Sequence, residues 1–212
     1  MMETEITKVI AVEDSVSKTK IIKLDKKLDF KPGQWIYAFV EKWGMKIKKP
    51  YTIASLPNEQ IELLVEDVGY VSSKLCALKP GDELEISNVF GVFTINDSAK
   101  NIVFIAFDTG IAPFKSTVQA VDNSYVELIY ISEKDEMMYE DYFNDLAKSK
   151  NFKLRKHTGL KKEEFSKKLK TTLQEIKNVD AVYICGLIYL VEAARAVCNE
   201  LGIENVYFEN YV

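Results

Sequence analysis

The sequence predicts two domains: an antiparallel β-barrel over residues 1–97, then an α/β unit with a parallel sheet over residues 98–212. Length allows this, because 212 residues suit one large domain or two small ones, and 47% hydrophobic residues supply a core. Turn chemistry supports it, because four of the five prolines fall in the first half, three of them between short alternating runs. A change of period completes the case: after Asp97 continuous apolar runs alternate with helical patterns.

In the first half, candidate strands are Glu5–Val12, Lys18–Leu24, Trp35–Glu41, Pro50–Ala54, Ile61–Glu66 and Glu83–Ser87, with one short helix at Ser72–Leu78. Lys31-Pro32-Gly33, Leu56-Pro57-Asn58 and Lys79-Pro80-Gly81-Asp82 are turn sequences. In the second half, Asn101–Phe107 (NIVFIAF) reads as a strand buried on both faces. Helix Pro113–Val121, strand Val126–Ser132, helix Met137–Lys148 and strand Phe152–Lys156 follow. Helix Lys162–Ile176, strand Ala181–Cys185, helix Tyr189–Leu201 and a strand at Val206–Tyr211 complete the alternation. Such alternation implies right-handed crossovers in a parallel sheet.

Charge and cysteine usage narrow the function classes. A net charge of −4 without a basic block argues against nucleic-acid binding. No apolar run reaches the ~18–20 residues of a membrane span, and MMETEITKV lacks the apolar core of a signal peptide. Cys76, Cys185 and Cys198 form no CxxC pair, so neither a disulfide framework nor a metal site is expected, and a reducing cytoplasm is the natural setting. Only Arg155 and Arg195 are arginines, so bidentate phosphate recognition has few candidates.

Five segments carry chemistry. In Lys49-Pro50-Tyr51-Thr52, a cation, an aromatic ring and a hydroxyl suit a phosphorylated planar cofactor, although an amphipathic strand also favours Tyr and Thr. Gly69-Tyr70-Val71-Ser72-Ser73 opens a helix whose first N–H groups suit an anion, or whose serines serve as a plain cap. Thr109-Gly110-Ile111-Ala112-Pro113 lies between a buried strand and a helix, where α/β sheets bind ligands. Cys185-Gly186 ends another parallel strand, and Glu209-Asn210-Tyr211 lies at the C-terminal end.

Taken in order, these segments resemble the ferredoxin–NADP reductase-like flavoprotein family over nearly the whole chain. KPYTIAS is similar to its Arg-x-Tyr-Ser/Thr flavin motif, with Lys49 in place of Arg, and GYVSSKL resembles its pyrophosphate segment. KPGDELEI and NVFGVF resemble its closing barrel strands, and DTGIAPFKS its nicotinamide-nucleotide loop. MMYEDYF, VYICGL and Glu209-x-Tyr211 match later elements. The resemblance implies FAD rather than FMN, reduced by NADH or NADPH, and electron delivery to a separate ferredoxin, flavodoxin or redox-complex subunit. It implies catalytic roles for Thr52, Cys185 and Glu209. By the same resemblance, Lys49, Pro50, Tyr51, Thr52, Gly69, Val71, Ser72, Ser73, Thr109, Gly110, Pro113 and Tyr211 contact cofactors.

The chain departs from that pattern at Phe107-Asp108, where the family carries Gly-Gly. A Phe there fills space and an Asp adds like charge near a pyrophosphate, or caps the following helix. The alternative that follows is a flavin-binding electron-transfer subunit with weak or no nicotinamide binding. Glu133, at the end of the second parallel strand, would repel a 2′-phosphate and accept a ribose diol, which favours NADH. His157 is expected at the surface. Lys42, Lys46, Lys48 and Lys49 form a basic cluster suited to steering an acidic carrier, or a solvated hairpin tip.

Overall fold

In a computed structural model, residues 2–95, 98–121, 124–149 and 151–211 are described. The chain forms two compact units, residues 1–95 with 112–120, and residues 96–111 with 121–212. The first contains β1 (Thr4–Asp14), β2 (Thr19–Lys27), β3 (Trp35–Lys42), β4 (Met45–Thr52), β5 (Gln60–Glu66), α1 (Tyr70–Cys76) and β6 (Glu83–Ser87). Their antiparallel order is β4-β3-β6-β1-β2-β5. The sheet curls until its ends meet at a bridge between Ile53 and Leu63, where the Ala54 N–H donates to the Glu62 carbonyl at 2.8 Å. Inside lie Ile22, Leu24, Ile36, Leu63, Leu75 and Ile86, all essentially without solvent contact.

Strand β4 starts five residues before the expected Pro50. Trp43 and Gly44, at φ of 52° and 75°, make the two-residue turn that joins β3 to β4. Lysines at 46, 48 and 49 hide this strand from a hydrophobic-period reading, because an edge strand tolerates charge on its exposed side. They also show that the basic cluster lies on the hairpin itself. Lys46 pairs with Glu85 at 2.6 Å, and the Lys48 ammonium sits 4.0 Å from the Tyr37 ring centre.

The second unit contains β7 (Asn101–Phe107), a 3-10 turn (Asp108–Ile111), β8 (Tyr125–Ile131), α3 (Glu140–Ser149), β9 (Phe152–His157), α4 (Lys162–Gln174), β10 (Ala181–Leu187), α5 (Ile188–Glu200) and β11 (Val206–Tyr211). All neighbours pair in parallel, in the order β11-β10-β7-β8-β9. The order therefore reverses between β7 and β10. Six of the seven residues of β7 are buried, as expected of a strand covered on both faces. Val103, Ile105 and Phe107 share a core with Phe165 and Leu169 of α4 and Val191 of α5. Helix α3 begins three residues later than the Met137 expected, because Tyr139 adopts φ of 56° and the buried Met137 and Met138 precede it outside the helix.

Helix α2 (Ala112–Ala120) packs with the first unit. Its Ser116 hydroxyl donates to the Ile53 carbonyl at 3.4 Å, Phe114 meets Phe93 edge-on at 6.1 Å, and Lys115 binds Glu62 at 2.8 Å. That ion pair is mostly enclosed, with side chains 18% and 11% exposed. Removing one partner of such a pair leaves a charge in a poorly solvated place. Lys115→Met should therefore cost about 3 kcal/mol, and Lys115→Met with Glu62→Gln should recover much of the loss. Denaturant midpoints of the two variants and the wild type check this.

Candidate functional site

The candidate residues form two groups, one in each unit. In the first unit, β4 is an edge strand and α1 packs beside it. Lys49 and Pro50 are exposed, Tyr51 is half-buried and Thr52 is buried. Burial pushes the Tyr51 phenol above its ordinary range, with a smaller contribution from Cys76 of α1. Tyr51 thus stays a neutral ring at physiological pH, with part of its surface open. Its neighbour Lys49 offers an exposed ammonium.

At the start of α1, Gly69 is extended, and no atom within 4 Å would oppose a Cβ there. Ser72 Oγ accepts from the N–H groups of Val68 and Gly69 at 3.1 and 3.0 Å and donates to the Gly69 carbonyl at 2.9 Å. Ser73 Oγ donates to Asp67. Both hydroxyls are therefore engaged within the segment, and Val71 is buried. What the segment offers an anion is open space and backbone N–H groups of the first helical turn.

In the second unit, the reversal between β7 and β10 brings Thr109, Gly110, Cys185, Glu209 and Tyr211 to the carboxyl edge of one sheet. A Cβ on Gly110 would stand 2.2 Å from the Cys185 carbonyl oxygen, so only glycine lets the turn seat against β10. A Cβ on Gly186, at φ of 155°, would stand 2.7 Å from Phe107 Cβ. Cys185 pairs in register with Glu209 on β11. Burial pushes its thiol well above the usual range against an opposing hydrogen bond from Tyr211, so it remains a thiol. Glu209 Oε2 is buried without a hydrogen-bond partner, and burial pushes the carboxyl up to about 7. Pro113 is buried in the first turn of α2, where its carbonyl accepts from Ser116 and Thr117 at 3.1 and 2.6 Å.

Phe107 does not fill the crevice. It is 3% exposed and stacks on Phe165 at 6.1 Å in the core. Asp108 opens the 3-10 turn after β7, and the residue at the N-cap of α2 is Ile111, which makes no side-chain cap. The Asp108 carboxylate instead accepts the Ser132 hydroxyl at 2.7 Å and lies 3.8 Å from the Lys134 ammonium. Glu133 lies 3.8 Å from Lys162. Against expectation, His157 is half-buried, with Nε2 3.0 Å from Thr172 Oγ1, and burial lowers its pKa. The arginines hold structure: Arg155 bridges Glu127 and Glu175, and Arg195 binds Glu192. No motif gives Lys134, at the end of the second parallel strand, a role, and only the fold sets it beside Asp108. A cleft of about 440 Å³ opens at the opposite, amino-terminal edge of the sheet, among Leu173, Ile176, Val179, Leu201 and Ile203.

Residues 4–95 match the model of the oxidoreductase FAD-binding domain. Over 207 residues the chain is 27% identical to the 2-halobenzoate 1,2-dioxygenase electron transfer component of Burkholderia cepacia, with 87% of this chain and 60% of that protein covered. Over 225 residues it is 26% identical to the carnitine monooxygenase reductase subunit of Escherichia coli K12, covering 100% of this chain and 68% of that one. It thus spans less than two thirds of the dioxygenase component. A ferredoxin NADP+ reductase of Neisseria gonorrhoeae, solved with bound FAD and NADP, superposes with a TM-score of 0.83 at 18% identity, covering 98% of both chains. The ferredoxin–NADP reductase-like fold is thereby established.

A carboxyl that holds its proton more tightly when folded stabilises the fold most at low pH. Glu209, raised from 4.5 to about 7, should therefore lose stabilisation as pH rises through that window. Glu209→Gln should gain stability relative to wild type between those pH values and keep a constant difference above them, as read from thermal melts across pH.

Proposed function

We propose that the chain is an FAD-dependent NAD(P)H oxidoreductase that passes electrons between a nicotinamide nucleotide and a one-electron carrier. The reading rests on one combination: an FAD-binding-domain match over residues 4–95, and a parallel sheet whose reversal carries Thr109-Gly110 beside Cys185-Gly186. Residues 1–97 serve as the flavin domain and residues 98–212 as the nicotinamide-nucleotide domain. Bound FAD supplies the exchange between two-electron and one-electron chemistry.

The chain's own residues divide the remaining work. Tyr51 offers a neutral ring for stacking and Thr52 a hydrogen bond beside it. Lys49 and the backbone of Gly69–Ser73 meet the phosphates, a reading that suits a dinucleotide flavin. Lysine gives a flexible point charge where arginine would give a fork. Thr109, Gly110 and the neutral Cys185 thiol line the nicotinamide end, and Glu209 holds an exchangeable proton near neutral pH. Glu133 favours NADH by repelling a 2′-phosphate, with Lys162 offsetting part of that charge. The electron acceptor is a separate ferredoxin or flavodoxin, or a redox-complex subunit, in a reducing cytoplasm. Lysines of the β3–β4 hairpin steer an acidic carrier.

A second reading is a flavin-binding electron-transfer subunit that binds no nicotinamide nucleotide, favoured by the Asp108 carboxylate at the end of β7. One experiment separates the two. The purified protein, reconstituted with FAD, should be yellow and should bleach on anaerobic addition of NADH, with a lower KM for NADH than for NADPH. Yellow protein indifferent to both nucleotides would establish the second reading. Bleaching with a lower KM for NADPH would remove the role given to Glu133.

A further inference from the structure

Asp108, Ser132 and Lys134 form a connected polar group at the carboxyl ends of β7 and β8. Asp108 takes the left-handed backbone, at φ of 49°, uncommon for a residue with a side chain. Its Oδ1 accepts the Ser132 hydroxyl at 2.7 Å and lies 3.8 Å from the Lys134 ammonium. Ser132 Oγ in turn accepts the Lys134 N–H at 2.9 Å. Ser132 has no solvent contact, and the Asp108 and Lys134 side chains are only 20% and 21% exposed. A carboxylate fixed by a buried hydroxyl, with an ammonium held near it, is a built arrangement rather than a surface pair meeting by chance.

Its position decides what it does. Ligands of open α/β sheets bind outside the carboxyl ends of the strands where the order reverses, and Asp108 is the first residue beyond β7 at that reversal. An anionic ligand there meets the negative charge of Asp108 and the positive charge of Lys134 together. We propose that Lys134 is the cation that receives the coenzyme diphosphate, and that Asp108 is its resident counter-ion, which the diphosphate must outcompete. Asp108 thereby sets coenzyme affinity: the pair presents little net charge until the carboxylate yields. This inference rests on the oxidoreductase reading above and names the residues that tune it.

The test is calorimetric titration of NAD+ into the FAD-reconstituted protein, with adenosine as a probe lacking phosphate. Asp108→Asn keeps shape and an acceptor for Ser132 while removing the charge, and should tighten NAD+ about tenfold. Lys134→Gln in the Asp108→Asn background should reverse that gain, and adenosine should bind all forms alike. Asp108→Ser serves as a second neutral variant, and thermal melts confirm that each form folds. Unchanged or weaker NAD+ binding in both neutral variants would overturn the inference. So would a gain that survives Lys134→Gln, or an equal gain for adenosine. If NADH still bleaches the wild-type flavin in those cases, the inference alone falls. If no form binds NAD+ and none bleaches, the oxidoreductase reading falls with it.

Discussion

Two strand ends of the parallel sheet approach more closely than any side chain at residue 110 permits. The Cys185 carbonyl oxygen lies 2.2 Å from where a Cβ of Gly110 would be, and Phe107 Cβ lies 2.7 Å from where one of Gly186 would be. This contact joins the turn after β7 to the end of β10, the two strands between which the order reverses. Because the turn is seated there, Phe107 is directed into the core beside Phe165, and the adjoining Asp108 is brought beside Ser132 and Lys134. The same pairing continues outward through β10 to β11, where Glu209 lies opposite Cys185 and its carboxyl is deprived of water. The chemistry proposed for this sheet edge therefore follows from a packing constraint rather than from reactive groups in themselves.

The first unit reaches its form by a different route. Its sheet curls until one bridge joins the two edges, leaving most of β4 as an edge beside α1. Helix α2 adds the Lys115–Glu62 pair and a Ser116 hydrogen bond close to that bridge. At the start of α1 the Ser72 and Ser73 hydroxyls are spent on hydrogen bonds within their own segment. Scarcity of arginine fits this economy, since both arginines are committed to carboxylates of the second unit.

Sequence patterning showed most of this architecture because burial on both faces leaves an unbroken apolar run. NIVFIAF and AVYIC occupy the strands expected of them, and Glu83–Ser87 and Val206–Tyr211 fall within the expected bounds. Patterning failed where charge or backbone conformation prevails over hydrophobic period. The lysines of Met45–Lys49 concealed an edge strand, and a left-handed Tyr139 delayed α3. The candidate site was legible as ordered motifs, but the uses of its side chains were not. Nothing in the spacing told that Ser72 and Ser73 bond within their own segment, or that Phe107 turns inward. The partnership of Asp108 with Lys134 depends on two strands being neighbours, which no local pattern records.

The central claim is that a nicotinamide nucleotide binds at the carboxyl edge of the parallel sheet. Amide hydrogen exchange of the FAD-reconstituted protein, with and without saturating NAD+, tests it most directly. Binding there should slow exchange in peptides covering Asp108–Ile111, Ser132–Lys134 and Gly186–Tyr189. The cleft lined by Leu173, Ile176 and Ile203 at the opposite edge should exchange unchanged. Protection confined to that cleft, or no protection anywhere at saturation, would contradict the account.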